Sequence, residues 1–304
     1  MKHRAAVLLT ISIATCSVGA FAQEPSAAGP SVSEDVSPIE LIQPVAQDGH
    51  IGQALLRKPV GNGPFPGVVL IPGGVEPPSL EEVRNDFGRA AVPAHFFEQG
   101  YVVATLTHRR RDTDVQSQVA RDDVVAVVDY LKRQPFVDAA SVGIFACSSG
   151  GDLALAVASV EQVAAIVAEE PASPMFMGVL TNELARSPEN LPAIAADPLR
   201  FYTSEARSMA RERIDGIQSP ILILQGDMPI PQGPGVNKFN ELVLIPELRA
   251  AGKSVEVITY PGGYHCFVSR SVNANDLVLR AIQDADEFFR RYLQVDPKPF
   301  SSDE

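Results

Sequence analysis

Val142-Gly143-Ile144-Phe145-Ala146-Cys147-Ser148-Ser149-Gly150-Gly151-Asp152-Leu153 runs from an apolar stretch through a serine and a glycine pair into a helix-forming Leu/Ala segment. Strand, tight turn and helix in that order read as a nucleophile elbow. In such a corner the serine Oγ stands exposed above the sheet, and the amide of the next residue, here Ser149, points at a developing oxyanion. The corner needs small residues two before and two after the serine. Gly150 meets the second requirement, while Ala146 stands where the pattern has glycine.

Outward from the elbow, apolar strands alternate with amphipathic helices. Val68 to Ile71 is a short continuous apolar run ending in Pro72-Gly73-Gly74, as expected of a parallel strand buried on both faces. Ser79-Leu80-Glu81-Glu82 has the form of a helix capping box. Tyr101 to Leu106 predicts a strand, and Val124, Val127, Val128 and Leu131 recur at helical spacing within 119–133. Strands follow at 163–168, 221–225 and 254–260, with helices at 153–160, 237–251 and 273–292. Near the start, 39–46 and 51–56 flank Asp48-Gly49, a hairpin signal. Between Pro171 and Ser219 the alternation stops, which predicts a small lid insertion over the site. Repeated strand-helix-strand units imply a mainly parallel sheet with helices on both faces, an α/β fold.

The chain of 304 residues is 45% hydrophobic and 20% charged, enough for one large domain over 38–295. Lys2 and Arg4, an apolar run from Ala5 to Ala14 and Ala20-Phe21-Ala22 predict a signal peptide over 1–22, cleaved after Ala22. The apolar run is shorter than the roughly 20 residues of a spanning helix. A secreted or periplasmic protein is expected, with no membrane attachment after cleavage. A flexible leader over 23–37, rich in Pro, Ser and Ala, and a tail over 296–304 flank the domain. The net charge of −12 deepens to −14 once the two basic residues of the leader peptide go, and basic runs are short, so nucleic acid is not an expected partner. Cys147 and Cys266 remain, an even pair that permits one disulfide in an oxidising compartment.

A serine hydroxyl needs a base to take its proton and a carboxylate to orient that base. Of the five histidines, His3 belongs to the signal peptide, His50 to a turn, His95 to a helix, and His108 follows a strand. His265 lies in a loop directly after a late strand, in Tyr260-Pro261-Gly262-Gly263-Tyr264-His265-Cys266-Phe267, and is the expected base. Arg109-Arg110-Arg111, after the Tyr101 strand, reads as a solvated loop or as a contact for a substrate carboxylate.

With these residues in place, the stretch from about 39 to 293 resembles an α/β-hydrolase of the dienelactone hydrolase and prolyl-oligopeptidase-like branch. The matching landmarks are 63–68 leading into 72–74, Asp129-Tyr130-Leu131, Val137-Asp138, 143–151, Gln225-Gly226-Asp227 and 260–265. Dienelactone hydrolases carry a cysteine nucleophile. Here Ser148 holds that position, and Cys147 is one residue too early. The resemblance implies an oxyanion hole made from the Ser149 amide and one from Gly74 or Val75, although the usual loop begins His-Gly where this one has Pro72-Gly73. It also implies a triad aspartate three residues after the loop glycine. Pro229 stands there, so Asp227 is the nearest replacement, with Glu169 or Glu170 as the alternative acid. Finally, Cys147-Ser148 and His265-Cys266 resemble the CS-D-HC arrangement of tannases and fungal feruloyl esterases, which implies a Cys147–Cys266 disulfide.

The reading is an exported serine hydrolase cleaving a small-molecule carboxylic ester through an acyl-enzyme, with no metal or organic cofactor implied. Peptide or amide hydrolysis, a thioesterase-like activity, and a non-catalytic binding module on the same fold are the alternatives. Substrate identity and oligomeric state are not encoded in any motif.

Overall fold

In Val68-Val69-Leu70-Ile71 successive side chains point to opposite sides of the sheet, and both sides are apolar because both are covered by helices. Val69 and Ile71 pack into one core, and Val68 into the other. The computed structural model describes residues 37–294 except 75, 77, 110–113, 181–189, 229–235, 270 and 273. The expected signal peptide, almost all of the leader, and the tail lie outside the described residues.

In chain order the elements are β1 (Glu40–Ile42), β2 (Ala54–Arg57), β3 (Phe65–Ile71), α1 (Leu80–Arg89), α2 (Ala91–Glu98), β4 (Val102–Leu106), α3 (Asp114–Lys132), β5 (Val137–Cys147) and α4 (Ser149–Ala158). They continue with β6 (Ile166–Glu169), α5 (Asn190–Ala196), α6 (Pro198–Phe201), α7 (Ser204–Gly216), β7 (Ile221–Gly226), α8 (Val236–Phe239), α9 (Ile245–Ala250), β8 (Val255–Tyr260) and α10 (Asp276–Tyr292). The strands form one eight-stranded sheet in the order β1-β2-β4-β3-β5-β6-β7-β8. The pairs β1/β2 and β2/β4 are antiparallel, and every pair from β4/β3 to β7/β8 is parallel. This is the α/β-hydrolase fold.

Helices α3, α4 and α7 bury Val124, Leu153 and Ala210 on the face that also holds Ile144, Ala146 and Ala168. On the other face α1, α2 and α10 bury Val83, Phe96 and Phe289 against Phe145 and Val167. Phe96 lies within 6.0 Å, ring centre to centre, of Tyr101, Phe145 and Phe289. Each such ring, fully buried, contributes about 1.5–3 kcal/mol of transfer free energy. The capping box at Ser79 forms as expected: its Oγ accepts from Glu82 N at 3.2 Å, and its own amide donates to the Glu82 carboxylate at 2.8 Å.

The helical stretch expected over 237–251 forms, with a π-helical turn at Asn240–Leu244 joining α8 to α9. Among the described residues the segment between β6 and β7 holds α5, α6 and α7, and Tyr202, Ala206, Ala210 and Ile214 join the same core as α3 and α4. Among the described residues no helix is long and apolar enough to cross a membrane.

Candidate active site

The chain turns sharply where β5 meets α4. Ser148 adopts φ 54° and ψ −122°, a conformation that costs a residue with a Cβ on the order of 1–3 kcal/mol. Close packing holds it there. A Cβ on Gly150 would stand 2.6 Å from the carbonyl oxygens of both Ile71 and Pro72, so only glycine lets α4 begin this close to the end of β3. Ala146, by contrast, is 1% exposed, and its methyl group fills the core. The strand therefore tolerates alanine where the pattern has glycine.

His265 Nε2 lies 2.9 Å from Ser148 Oγ. On the far side of the ring, His265 Nδ1 lies 2.9 Å from Glu170 Oε2. This corrects the expectation that Asp227 orients the histidine. Asp227 is exposed, and its Oδ1 accepts from Gly262 N at 2.7 Å, so it ties the loop after β7 to the loop after β8. Glu170 has the position because β6 is the direct neighbour of β5, with Glu169 in register with Cys147. The next residue therefore ends beside the elbow.

Glu170 is almost saturated with donors. Oε2, beside His265 Nδ1, accepts from Cys266 N at 2.8 Å, while Oε1 accepts from Gly226 N at 3.0 Å and Asn237 Nδ2 at 2.8 Å. Burial works to raise this carboxyl, but the hydrogen bonds from His265, Asn237 and Cys266 outweigh it and hold it below the ordinary glutamate value. Gly226 must lack a side chain for this, since a Cβ there would collide with the Gly263 carbonyl. Asn237 escaped sequence reasoning, for nothing near it marks a support for a carboxylate 67 residues away.

Cys147 and Cys266 are joined in a disulfide with Cα atoms 5.9 Å apart. The elbow and the histidine loop are thus covalently linked beside the reacting atoms. The expected oxyanion donors fare differently. Gly74 N donates to Ser149 Oγ at 2.6 Å, and that hydroxyl donates back to Gly74 O at 2.8 Å. The Gly74 amide is thus paired with the side chain of the residue after the nucleophile. Ser149 N is the first amide of α4, at the positive end of the helix dipole. Val75 lies outside the described residues, as does Pro229.

The remaining candidates are occupied elsewhere. The Arg109 guanidinium binds Asp123 at 2.8 Å and Asp48 at 2.6 Å, so it braces the fold instead of facing a substrate carboxylate. Arg110 and Arg111 are outside the described residues. His95 sits 3.6 Å from Asp286, His108 is buried, and His50 is exposed. Cys147, Cys266 and Glu169 place ligand-type atoms within 4.8 Å of one another, but sulfurs bonded to each other are not thiolate ligands. An apolar cavity of about 100 Å³ lies between α1 and the ends of β3 and β4, with Pro72 on one wall and Ser269 on another.

A Ser–His–carboxylate chain at the carboxyl ends of the central strands of this sheet defines a serine hydrolase of the α/β-hydrolase superfamily. Comparison with known proteins narrows the class. The chain belongs to the prolyl oligopeptidase family, whose model matches residues 111–296, more than half of its length. Among solved structures it is similar to dipeptidyl peptidase 4 of Porphyromonas gingivalis, with 18% identity and a TM-score of 0.60. That match covers 85% of this chain but only 36% of the peptidase. It is also similar to esterase 2 of Thermogutta terrifontis, with 17% identity, a TM-score of 0.61, and 86% and 97% of the two chains covered. A dienelactone hydrolase homologue from Klebsiella pneumoniae gives 18% identity, a TM-score of 0.56, and coverage of 84% and 99%. At these identities the likeness concerns the fold.

Proposed function

We propose that this protein is an exported serine hydrolase that cleaves carboxylic esters of small molecules through an acyl-enzyme. The observation that carries the reading is the unbroken chain from Ser148 Oγ to His265 to Glu170, with both links at 2.9 Å. Ser148 attacks the carbonyl carbon as its proton passes to His265 Nε2, and the Glu170 carboxylate stabilises the imidazolium. His265 then returns that proton to the departing alcohol. A water molecule repeats the sequence against the acyl-enzyme and releases the acid.

The ester preference is supported by the esterases among the similar structures. In this reading the Ser149 amide, first in α4, is an oxyanion donor. The 171–219 segment acts in this reading as the cap that selects substrate, and the small apolar cavity beside Pro72 suits a small uncharged group. Export is supported by the basic and apolar start of the chain and by the disulfide, which suits an oxidising compartment.

Amide hydrolysis is the second reading, favoured by the family match. A panel of p-nitrophenyl, feruloyl and galloyl esters set against aminoacyl amides separates the two. Higher kcat/KM on the esters is expected, and higher kcat/KM on the amides establishes the peptidase instead.

A further inference from the structure

In a regular strand, consecutive residues face opposite sides of the sheet, so only one of two adjacent glutamates would reach a given loop. Glu169 and Glu170 break this rule. Glu170 adopts φ 44°, a left-handed conformation, and both carboxylates turn to the loop that carries His265. Glu170 takes the imidazole and the Cys266 amide. Glu169 takes two later residues of the loop: Oε1 accepts from Val268 N at 2.7 Å, and Oε2 accepts from Ser269 N at 3.0 Å and Ser269 Oγ at 2.5 Å.

Glu169 is 0% exposed, and burying a carboxylate is costly unless its oxygens are fully bonded. A buried pair of adjacent acids is a poor choice for stability alone, because each charge raises the cost of the other. Burial, with a smaller push from Glu170, holds the Glu169 carboxyl up at about 7 in spite of its three donors. An apolar residue would fill the same space without that cost. What an apolar residue lacks is the ability to fix two consecutive amides of the histidine loop. That loop needs fixing: Cys266, next to His265, is itself left-handed at φ 58°.

We infer that Glu169 is a positioning residue for the reaction: by binding the Val268 and Ser269 amides it fixes the backbone that aims His265 at Ser148, while Glu170 orients the ring. The inference rests on the proposed roles of Ser148, His265 and Glu170. The Glu169 backbone carbonyl accepts from Ser148 N at 2.9 Å, but its carboxylate bonds neither the imidazole nor the serine hydroxyl and acts through the loop. In Glu169→Gln, one oxygen becomes an amide nitrogen that faces N–H donors, so the loop loses at least one anchor with almost no change in volume.

The test is steady-state kinetics on p-nitrophenyl acetate at pH 8, where Glu169 is ionised. It is paired with the low-field proton NMR signal of His265 Nδ1–H, which lies against Glu170, and run on wild type, E169Q and Ser269→Ala. Displacing a catalytic group by about 1 Å costs up to about 100-fold in rate. E169Q should therefore lower kcat by that order with KM within about twofold, and its low-field proton should broaden. S269A, which keeps both amide bonds, should lose about threefold on the same reasoning. A purely structural Glu169 predicts a lower melting temperature with wild-type kcat and an unchanged proton signal in folded E169Q, and that result overturns the inference. If E169Q does not fold, Glu169→Asp decides, since its carboxylate is one methylene short of the two amides: a kcat loss with a broadened signal supports the inference, and wild-type values for both overturn it. If wild type turns over no ester, the functional reading fails by itself, and a sharp signal persisting in folded E169Q or E169D still overturns the positioning role.

Discussion

Glu170 Oε2 lies 2.9 Å from His265 Nδ1 although Glu170 follows β6 and not β7. The acid therefore reaches the histidine from the strand next to the nucleophile, and Asp227, after β7, ties its loop to Gly262 instead. Glu170→Gln should lower kcat by up to about 10⁴-fold, the order seen when a triad carboxylate is replaced by its amide. Asp227→Asn should stay within about threefold, since Asp227 makes only a loop tie of the ordinary kind. Measuring kcat for the two variants on one ester distinguishes them.

The pH dependence of stability follows from the two neighbouring acids, with opposite signs. Glu170 has a folded value held below its unfolded one, so its contribution is present above the unfolded value near 4.5 and is lost as pH falls through the folded value. Glu169 has a folded value raised to about 7, so its contribution is present below the unfolded value near 4.5 and is lost as pH rises through about 7. Melting temperatures across pH 3 to 8, compared among wild type, E170Q and E169Q, should show E170Q flattening the acid side and E169Q flattening the decline between 4.5 and 7.

The disulfide closes a loop whose ends are 119 residues apart, which on the chain-entropy model stabilises by about 5 kcal/mol. Replacing both Cys147 and Cys266 with alanine should lower the melting temperature. It should also reduce kcat/KM, because the elbow and the histidine loop lose their covalent link. A variant with a lower melting temperature but wild-type kcat/KM would assign the bond to stability alone.

Gly150→Ala tests the elbow. The added methyl group would meet two carbonyl oxygens at 2.6 Å, neither of which belongs to a flexible side chain. Overpacking of this kind costs about 1–3 kcal/mol. Activity should fall well beyond what the loss of folded protein explains, as measured by kcat on the fraction that remains soluble.

Much of this was legible in the sequence, for identifiable reasons. Ser148 announces itself because an elbow is a local pattern, and His265 because its position after a late strand is fixed by chain order. The carboxylate was not legible in the same way. Ala168-Glu169-Glu170-Pro171 gives no sign that Glu170 will turn left-handed, and a following proline biases a residue towards extended backbone instead. The choice between Glu170 and Asp227 depends on tertiary packing, through donors as distant as Asn237. The pairing of the Gly74 amide with the Ser149 hydroxyl, 75 residues away, is equally invisible in the sequence.

The central claim is that Ser148 is a nucleophile activated by His265 and Glu170. Treatment of the folded protein with a fluorophosphonate probe, followed by peptide mass spectrometry, tests it most directly. The account predicts a single adduct on Ser148, strongly slowed in His265→Ala and E170Q. Absence of an adduct on Ser148 in folded wild-type protein, or equal labelling in H265A, would contradict it.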